Sequence, residues 1–270
     1  MGILIRDRKV ARDYKEQWDL LKDSEDDFPE ELVESNSKTR KYSIDGTDVS
    51  VWFTRTSDEQ DLDQARDLIN GAKHAVLFLM FNPGPAGTLL NTIVERNSPS
   101  SSHYDPTLYI HGVVNQDPST QKNPIVGLFH RGKYDAAPFE VVLPGAVNKQ
   151  LAYWRAELLK KYQSWAMVHS KVIVIDPFSD HPVVMTGSHN LGRKASAKND
   201  ENFLIIENHP ALAEAYAVNI MSIYNQYRWR FRMAEDPDRP PYEGTEDNDT
   251  WQEGYLKGMK AKEIDFWMGK

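Results

Sequence analysis

The chain contains no cysteine, which excludes disulfides, thiolate nucleophiles and thiolate metal sites and leaves the redox compartment open. Long apolar runs are also missing. The longest, Ala75 to Phe81, suits a buried strand and falls far short of the roughly 20 residues that span a bilayer. Met1 to Val10 carry charges and no small-residue cleavage site, so no signal peptide is read there. There is no Walker or dinucleotide-binding glycine pattern, and the histidines lack a zinc spacing such as His-Glu-x-x-His. Nothing implies a cofactor or a metal. An excess of positive charge is absent too, the formal charge being -8. Duplex DNA binding draws on a basic field around the phosphates, so this balance weighs against a nuclease, although a local basic patch is compatible with it.

What is present suits one large globular domain. The chain has 270 residues, 40% hydrophobic and 27% charged, enough to bury a sizeable core. Leu4-Ile5 reads as a short strand leading into an amphipathic helix with Val10, Tyr14, Trp18 and Leu21 on one face. Residues 1–21 form this tail, and 22–48 an acidic linker with Pro29 and little periodicity. The main domain is expected over 49–234. Its strands are Val49–Phe53, His74–Phe81, Leu108–Val114, Met167–Ile175, Val183–Thr186 and Asn202–Ile206, with a short one at Val141–Leu143. Helices are expected from about Leu62 to Asn70, behind a Ser57–Gln60 cap, and over Leu89–Glu95, Leu151–Tyr162 and Pro210–Arg230. Asn115–Pro138 reads as an irregular excursion. Residues 235–270 form an acidic loop and one more helix between Trp251 and Trp267. The continuous apolar strands call for an α/β fold, a mixed sheet with helices on both faces.

One ordered set of residues carries chemistry. His169-Ser170-Lys171 is followed after four residues by Asp176, then by Gly187-Ser188-His189-Asn190, then by Asn199-Asp200-Glu201-Asn202. On a strand, His169 and Lys171 project to the same side about 6–7 Å apart. That pairing suits a phosphoryl group, since the imidazole can attack phosphorus and the ammonium neutralise its oxygens. Ser188 and Asn190 can donate further hydrogen bonds to those oxygens. Glu201 is the candidate to accept from the far nitrogen of His169 and fix its tautomer. Alone, His169 would read as an edge-strand histidine and Lys171 as a surface lysine; the whole ordered set does not read that way.

The set resembles the His-x-Lys-x4-Asp, Gly-Ser-x-Asn and downstream Glu signature of the phospholipase D superfamily, a likeness covering most of 49–230. The resemblance implies a metal-independent phosphodiesterase working through a covalent phosphohistidine on His169. Lys171 and Asn190 would bind phosphate, Glu201 would orient the histidine, and Asp176 would support the site. One departure is the ten residues from Pro177 to Thr186 before Gly187, read as an enlarged hairpin loop.

The larger departure is that the family uses two such motifs and this chain has one. His130-Arg131-Gly132-Lys133 has the wrong spacing, and His111 has no lysine partner. His103, His181, His189 and His209 read as loop or surface histidines, with His189 at the site mouth. A second motif must come from a homodimer partner or from an amino-terminal half of the same protein. Ile5 to Tyr14, with Trp18, resembles the stretch that closes a first repeat, and Leu4–Tyr14 echoes Leu204–Tyr216. The chain is therefore expected to be the C-terminal catalytic half of a two-motif protein. Hydrolysis or headgroup transfer on a phospholipid is the leading expectation, with peripheral membrane contact. The alternatives are an endonuclease on DNA or RNA, supported by the basic run Arg193–Lys198, and an inactive half-domain. Trp165 and Asn82-Pro83-Gly84-Pro85 are weaker candidates for the site rim.

Overall fold

Apolar, β-branched runs recur along the chain, and in the computed structural model nine of them join into one mixed sheet. It describes residues 2–24, 30–84, 86–115, 126–130, 139–142, 168–235 and 247–269. The strands are β1 (Arg40–Ile44), β2 (Thr47–Phe53), β3 (Ala75–Met80), β4 (Tyr109–Val114), β5 (Val126–His130), β6 (Phe139–Val142), β7 (Lys171–Ile175), β8 (Val183–Gly187) and β9 (Asn202–Glu207). Their order is β1-β2-β9-β8-β7-β3-β4-β5-β6. Only β3 and β4 pair in parallel; the other neighbours are antiparallel.

Alternation along the central strands builds two cores, one on each face. Leu77, Leu79, Val172, Val174, Leu204 and Ile206 face one side. There they meet Ala213, Tyr216, Ala217, Ile220, Met221, Tyr224 and Tyr227 of helix α6 (Pro210–Glu235). That i, i+3, i+4, i+7 spacing is one helical face, and each fully buried large side chain contributes about 1.5–3 kcal/mol. Pro210 at the first helical position needs no intrahelical donor, and His209 Nδ1 accepts from the Leu212 N–H at 3.2 Å. On the opposite side Val76, Phe78, Met80, Ile173, Ile175, Met185 and Phe203 pack on Leu62, Ala65 and Ile69 of α3 (Gln60–Gly71) and Leu89, Leu90 and Ile93 of α4 (Leu89–Arg96). The expected sheet with helices on both faces is what forms.

Several local expectations are corrected. Leu4-Ile5 is not a strand; Asp7 accepts from the Lys9 and Val10 N–H groups and starts helix α1 (Arg8–Asp23). Trp18 is 59% exposed and Gln17 takes the inward position, while Tyr14 meets Phe53 edge-on at 4.9 Å. Within 22–48, read as a linker, stand a short helix α2 (Glu30–Asn36) and β1. Asp45 and Gly46, both at positive φ, turn β1 into β2. Glu59, in the left-handed region, precedes α3 without a side-chain cap, so Ser57–Gln60 does not act as one. The basic run Arg193–Lys198 is a short helix, α5. Near the end, a 3-10 turn (Thr250–Tyr255) is followed by α7 (Gly258–Trp267). The expected Leu151–Tyr162 helix, Trp165, Pro85 and most of Asn115–Pro138 lie outside the described residues.

Candidate active site

Three strand ends meet at one end of the sheet. His169 and Ser170 precede β7, Gly187 closes β8 with Ser188 and Asn190 beyond it, and Glu201 precedes β9. Together with Lys171, Leu79, Thr186, Tyr216 and Asn219 they line an open cleft of about 570 Å³. Five of the six site residues expected from the sequence therefore share one cleft: His169, Lys171, Ser188, Asn190 and Glu201.

His169 itself sits just outside the strand rather than in it. The Lys171 ammonium still reaches it, with Nζ 3.2 Å from Nδ1 and 3.3 Å from Nε2 of the imidazole. The same ammonium donates to the His169 carbonyl at 2.8 Å. Phe81, the residue after β3, tilts its ring 4.3 Å from the imidazole and 4.6 Å from the ammonium. Lys171 is only 9% exposed; burial lowers its pKa, while the charge of Glu201 acts to raise it. An exposed imidazole beside a partly dehydrated cation is an arrangement that can bind and attack a phosphoryl group.

Glu201 does not hold His169 here. Its Oε1 accepts from the Asn199 amide at 3.1 Å, and its backbone is fixed by Thr54 through Glu201 N to Oγ1 at 2.8 Å and Thr54 N to the Glu201 carbonyl at 3.0 Å. Ser188 Oγ accepts from the Asn202 N–H at 3.0 Å. The Asn190 Oδ1 is buried and has no hydrogen-bond partner among the described residues.

Asp176 is not in the cleft. It lies at the other end of β7, where Oδ1 accepts from the N–H groups of His74 (2.7 Å) and Ala75 (2.8 Å) and Oδ2 from that of Lys73 (2.8 Å). This carboxylate anchors the start of β3 to the end of β7. The expected enlarged hairpin stands between Asp176 and Val183, with Ser179 folded back onto the Asp176 carbonyl.

The motif glycine has a steric reason. Gly187 has φ +150, and a Cβ there would lie 2.3 Å from the carbonyl oxygen of Asn202. His189, expected at the site mouth, is instead fully buried and turned away from the cleft toward α3. His111 is also buried, stacked on Tyr109 and edge-on to Tyr224. Sequence reasoning missed Phe81, Thr186, Tyr216 and Asn219. The last two are three residues apart on α6, and nothing but the fold brings them to the cleft. Among the described residues no group of three or more His, Asp or Glu side chains is placed to hold a metal ion.

A family model described as "Cardiolipin synthase, PLD-like domain" matches residues 141–223. Over these residues the chain is similar to the phospholipase D-like family. Two solved structures similar to this chain are a phospholipase D family member, Nuc from Salmonella typhimurium, and NucT from Helicobacter pylori. Nuc is 19% identical, with 67% of this chain and 95% of that one covered and a TM-score of 0.40. NucT is 12% identical, with 67% and 96% covered and a TM-score of 0.32. No curated protein matches the sequence. Among the described residues no helix is long and apolar enough to cross a membrane.

Proposed function

We propose that this chain supplies one catalytic half of a phosphodiesterase site in which His169 becomes a phosphohistidine, with a phospholipid as substrate. The observation carrying this reading is the Lys171 ammonium within 3.3 Å of both ring nitrogens of His169, in a cleft shared with Ser188, Asn190 and Glu201. An imidazole nitrogen attacks phosphorus in line, and the bond from phosphorus to the leaving alkoxide breaks. That alkoxide takes a proton from the histidine of a second motif, supplied by a preceding half of the same protein or by a second copy of the chain. Lys171, Ser188 and Asn190 donate to the phosphoryl oxygens as charge builds there. A substrate phosphate draws the ammonium off the imidazole, and Glu201, lining the same cleft, is then the carboxylate assigned to hold its far nitrogen. Water, or an alcohol in headgroup transfer, attacks phosphorus next, giving its proton back to the second-motif histidine as the P–N bond breaks.

Charge favours a lipid over a polyanion. Arg193, just past the motif turn, is paired with Glu59, and Arg55 with Asp200 at 3.4 Å, next to Glu201, so both arginines already face carboxylates. The description of the matching family model points the same way. A nucleic-acid substrate is the second reading, favoured by Lys194 and Lys198, exposed on α5.

Incubation of the purified chain and its His169→Ala variant with bis-p-nitrophenyl phosphate, with phosphatidylglycerol vesicles and with single-stranded DNA tests these readings. Lipid cleavage lost in the variant is the expected result. DNA cleavage lost in the variant overturns the lipid assignment. Equal turnover by both proteins overturns the role of His169. Silence that ends when an amino-terminal half is supplied identifies an orphaned half-site.

A further inference from the structure

The motif loop carries a residue that the chemistry above does not use. His189 lies between Ser188 and Asn190, both on the cleft, yet its own side chain is wholly buried and points the other way. Its Nε2 stands 3.1 Å from Oδ2 of Asp61, a carboxylate that is itself fully buried at the start of α3. The pair is close, although the angle falls short of a regular hydrogen bond. At the other ring nitrogen, Nδ1 accepts from the Leu191 N–H at 2.9 Å. That bond requires Nδ1 to be unprotonated, so the ring proton resides on Nε2, facing Asp61.

Both ends of this contact are fixed. Asp61 Oδ1 accepts from the hydroxyls of Thr56 and Ser196, which joins α3 to α5. Burial alone pushes the Asp61 pKa up, but His189, Ser196 and Thr56 more than reverse this and hold it below the usual carboxylate range. The imidazole lies against Phe203 of β9 with ring centroids 5.3 Å apart. Leu191, a non-glycine residue at φ +60, takes a conformation that needs support from its surroundings. Its N–H is held by His189, and its carbonyl accepts from the Leu89 N–H at 3.0 Å. A solvent-exposed histidine would do none of this.

We infer that the Asp61–His189 pair is a positioning device that sets the Gly187–Asn190 turn from below, so that Ser188 and Asn190 present their polar groups to a phosphoryl oxygen in the cleft. His189 and Asp61 touch no substrate. They act through the backbone that they hold, and the inference rests on the phosphate-binding reading of that cleft. Asn190 is the residue most exposed to a failure of the device, because it lies between the His189 ring and the Leu191 N–H that the ring accepts from.

Sodium tungstate, a tetrahedral stand-in for phosphate, gives a readout that needs no second motif. The full chain is titrated calorimetrically beside Lys171→Ala, His189→Phe, Asp61→Asn and the double variant. Amide hydrogen exchange follows residues 187–191. His189→Phe keeps the ring and its packing on Phe203 but deletes both nitrogens. It is expected to weaken tungstate binding about 10-fold and to raise exchange at Asn190 and Leu191, with cooperative unfolding retained. Asp61→Asn, the milder change, is expected to shift both readouts the same way, and the double variant to be no worse than His189→Phe because one contact is removed twice. Unchanged exchange in the motif turn of both single variants overturns the positioning role, whether or not tungstate binds. Tungstate binding by wild type that survives Lys171→Ala overturns the phosphate-site reading instead, and leaves the exchange result to decide the structural role. Independent, additive effects of the two single variants also overturn the inference. If His189→Phe fails to fold, Asp61→Asn alone decides by the same criteria.

Discussion

Phe81 and Lys171 are joined face to charge, the ammonium standing 4.6 Å from the ring centroid. The same ring lies 4.3 Å from the His169 imidazole, so one aromatic side chain borders both halves of the motif pair. A contact of this kind is worth about 0.5–1 kcal/mol, more when water is excluded. Phe81→Leu should weaken tungstate binding about 2–5-fold while leaving the sheet intact, as calorimetry and circular dichroism would establish. No change in affinity would make Phe81 a packing residue only.

The buried ammonium also sets opposite pH slopes for binding and stability. Burial lowers the pKa of Lys171 in the folded chain, against the raising effect of Glu201. Between that lowered value and the ordinary lysine value of about 10.4, the unfolded chain holds the extra proton, so stability rises with pH. Anion affinity falls over the same window because the charge is lost. Melting temperature and tungstate affinity measured from neutral to alkaline pH should therefore diverge. Lys171→Met should abolish the affinity and raise Tm by about 2–4 °C, the shift that 1 kcal/mol produces in a domain of this size. A lowered Tm would mean that the charge stabilises the fold.

Asp176 gathers three backbone N–H groups on its two oxygens. Hydrogen bonds to a charged acceptor contribute about 1.5–3 kcal/mol each, and losing the acceptor strands its donors. Asp176→Ala should cost at least about 3 kcal/mol in urea unfolding, far more than an exposed acidic residue. The protein that remains folded should keep most of its tungstate affinity, since the carboxylate is at the far end of β7.

Gly187→Ala places a methyl group 2.3 Å from the Asn202 carbonyl oxygen, at a φ that side chains rarely adopt. The turn has to shift away from β9, carrying Ser188 and Asn190 with it. Loss of measurable tungstate binding together with a Tm drop is the expected outcome. A variant with wild-type affinity would show that the turn tolerates the shift.

Most of the sheet was legible because its strands are apolar and bounded by turn formers; Ala75–Met80 and Asn202–Glu207 lie where the pattern puts them. The hairpin of β1 and β2 was not, although Asp45-Gly46 is a strong turn signal, because it sits at the end of an acidic stretch that reads as linker. Trp18 was placed inward by periodicity, yet Gln17 took that position, since the register of a helix against its core is decided by contacts such as Tyr14 on Phe53. For the site, ordered spacing of polar residues was enough to bring five motif residues to one cleft. It gave no sign of Asp61, which in the sequence is one more acidic residue at a helix start, nor of His189 facing inward.

The position of Asp176 gives the motif spacing a geometric meaning. In the β3–β7 register Met80 is opposite Lys171 and Val76 opposite Ile175, so the four residues between lysine and aspartate run the length of the strand. They act as a gauge block between two clamps, the proposed phosphate site at one end and the β3 anchor at the other. Adding or removing one residue would leave both ends chemically intact but no longer able to engage together, because a pleated strand reverses its faces with each step. The quantity that such a motif fixes is then a length, about 16 Å of strand at 3.3 Å per residue, and any apolar residues that keep that length and fit the two cores can fill it.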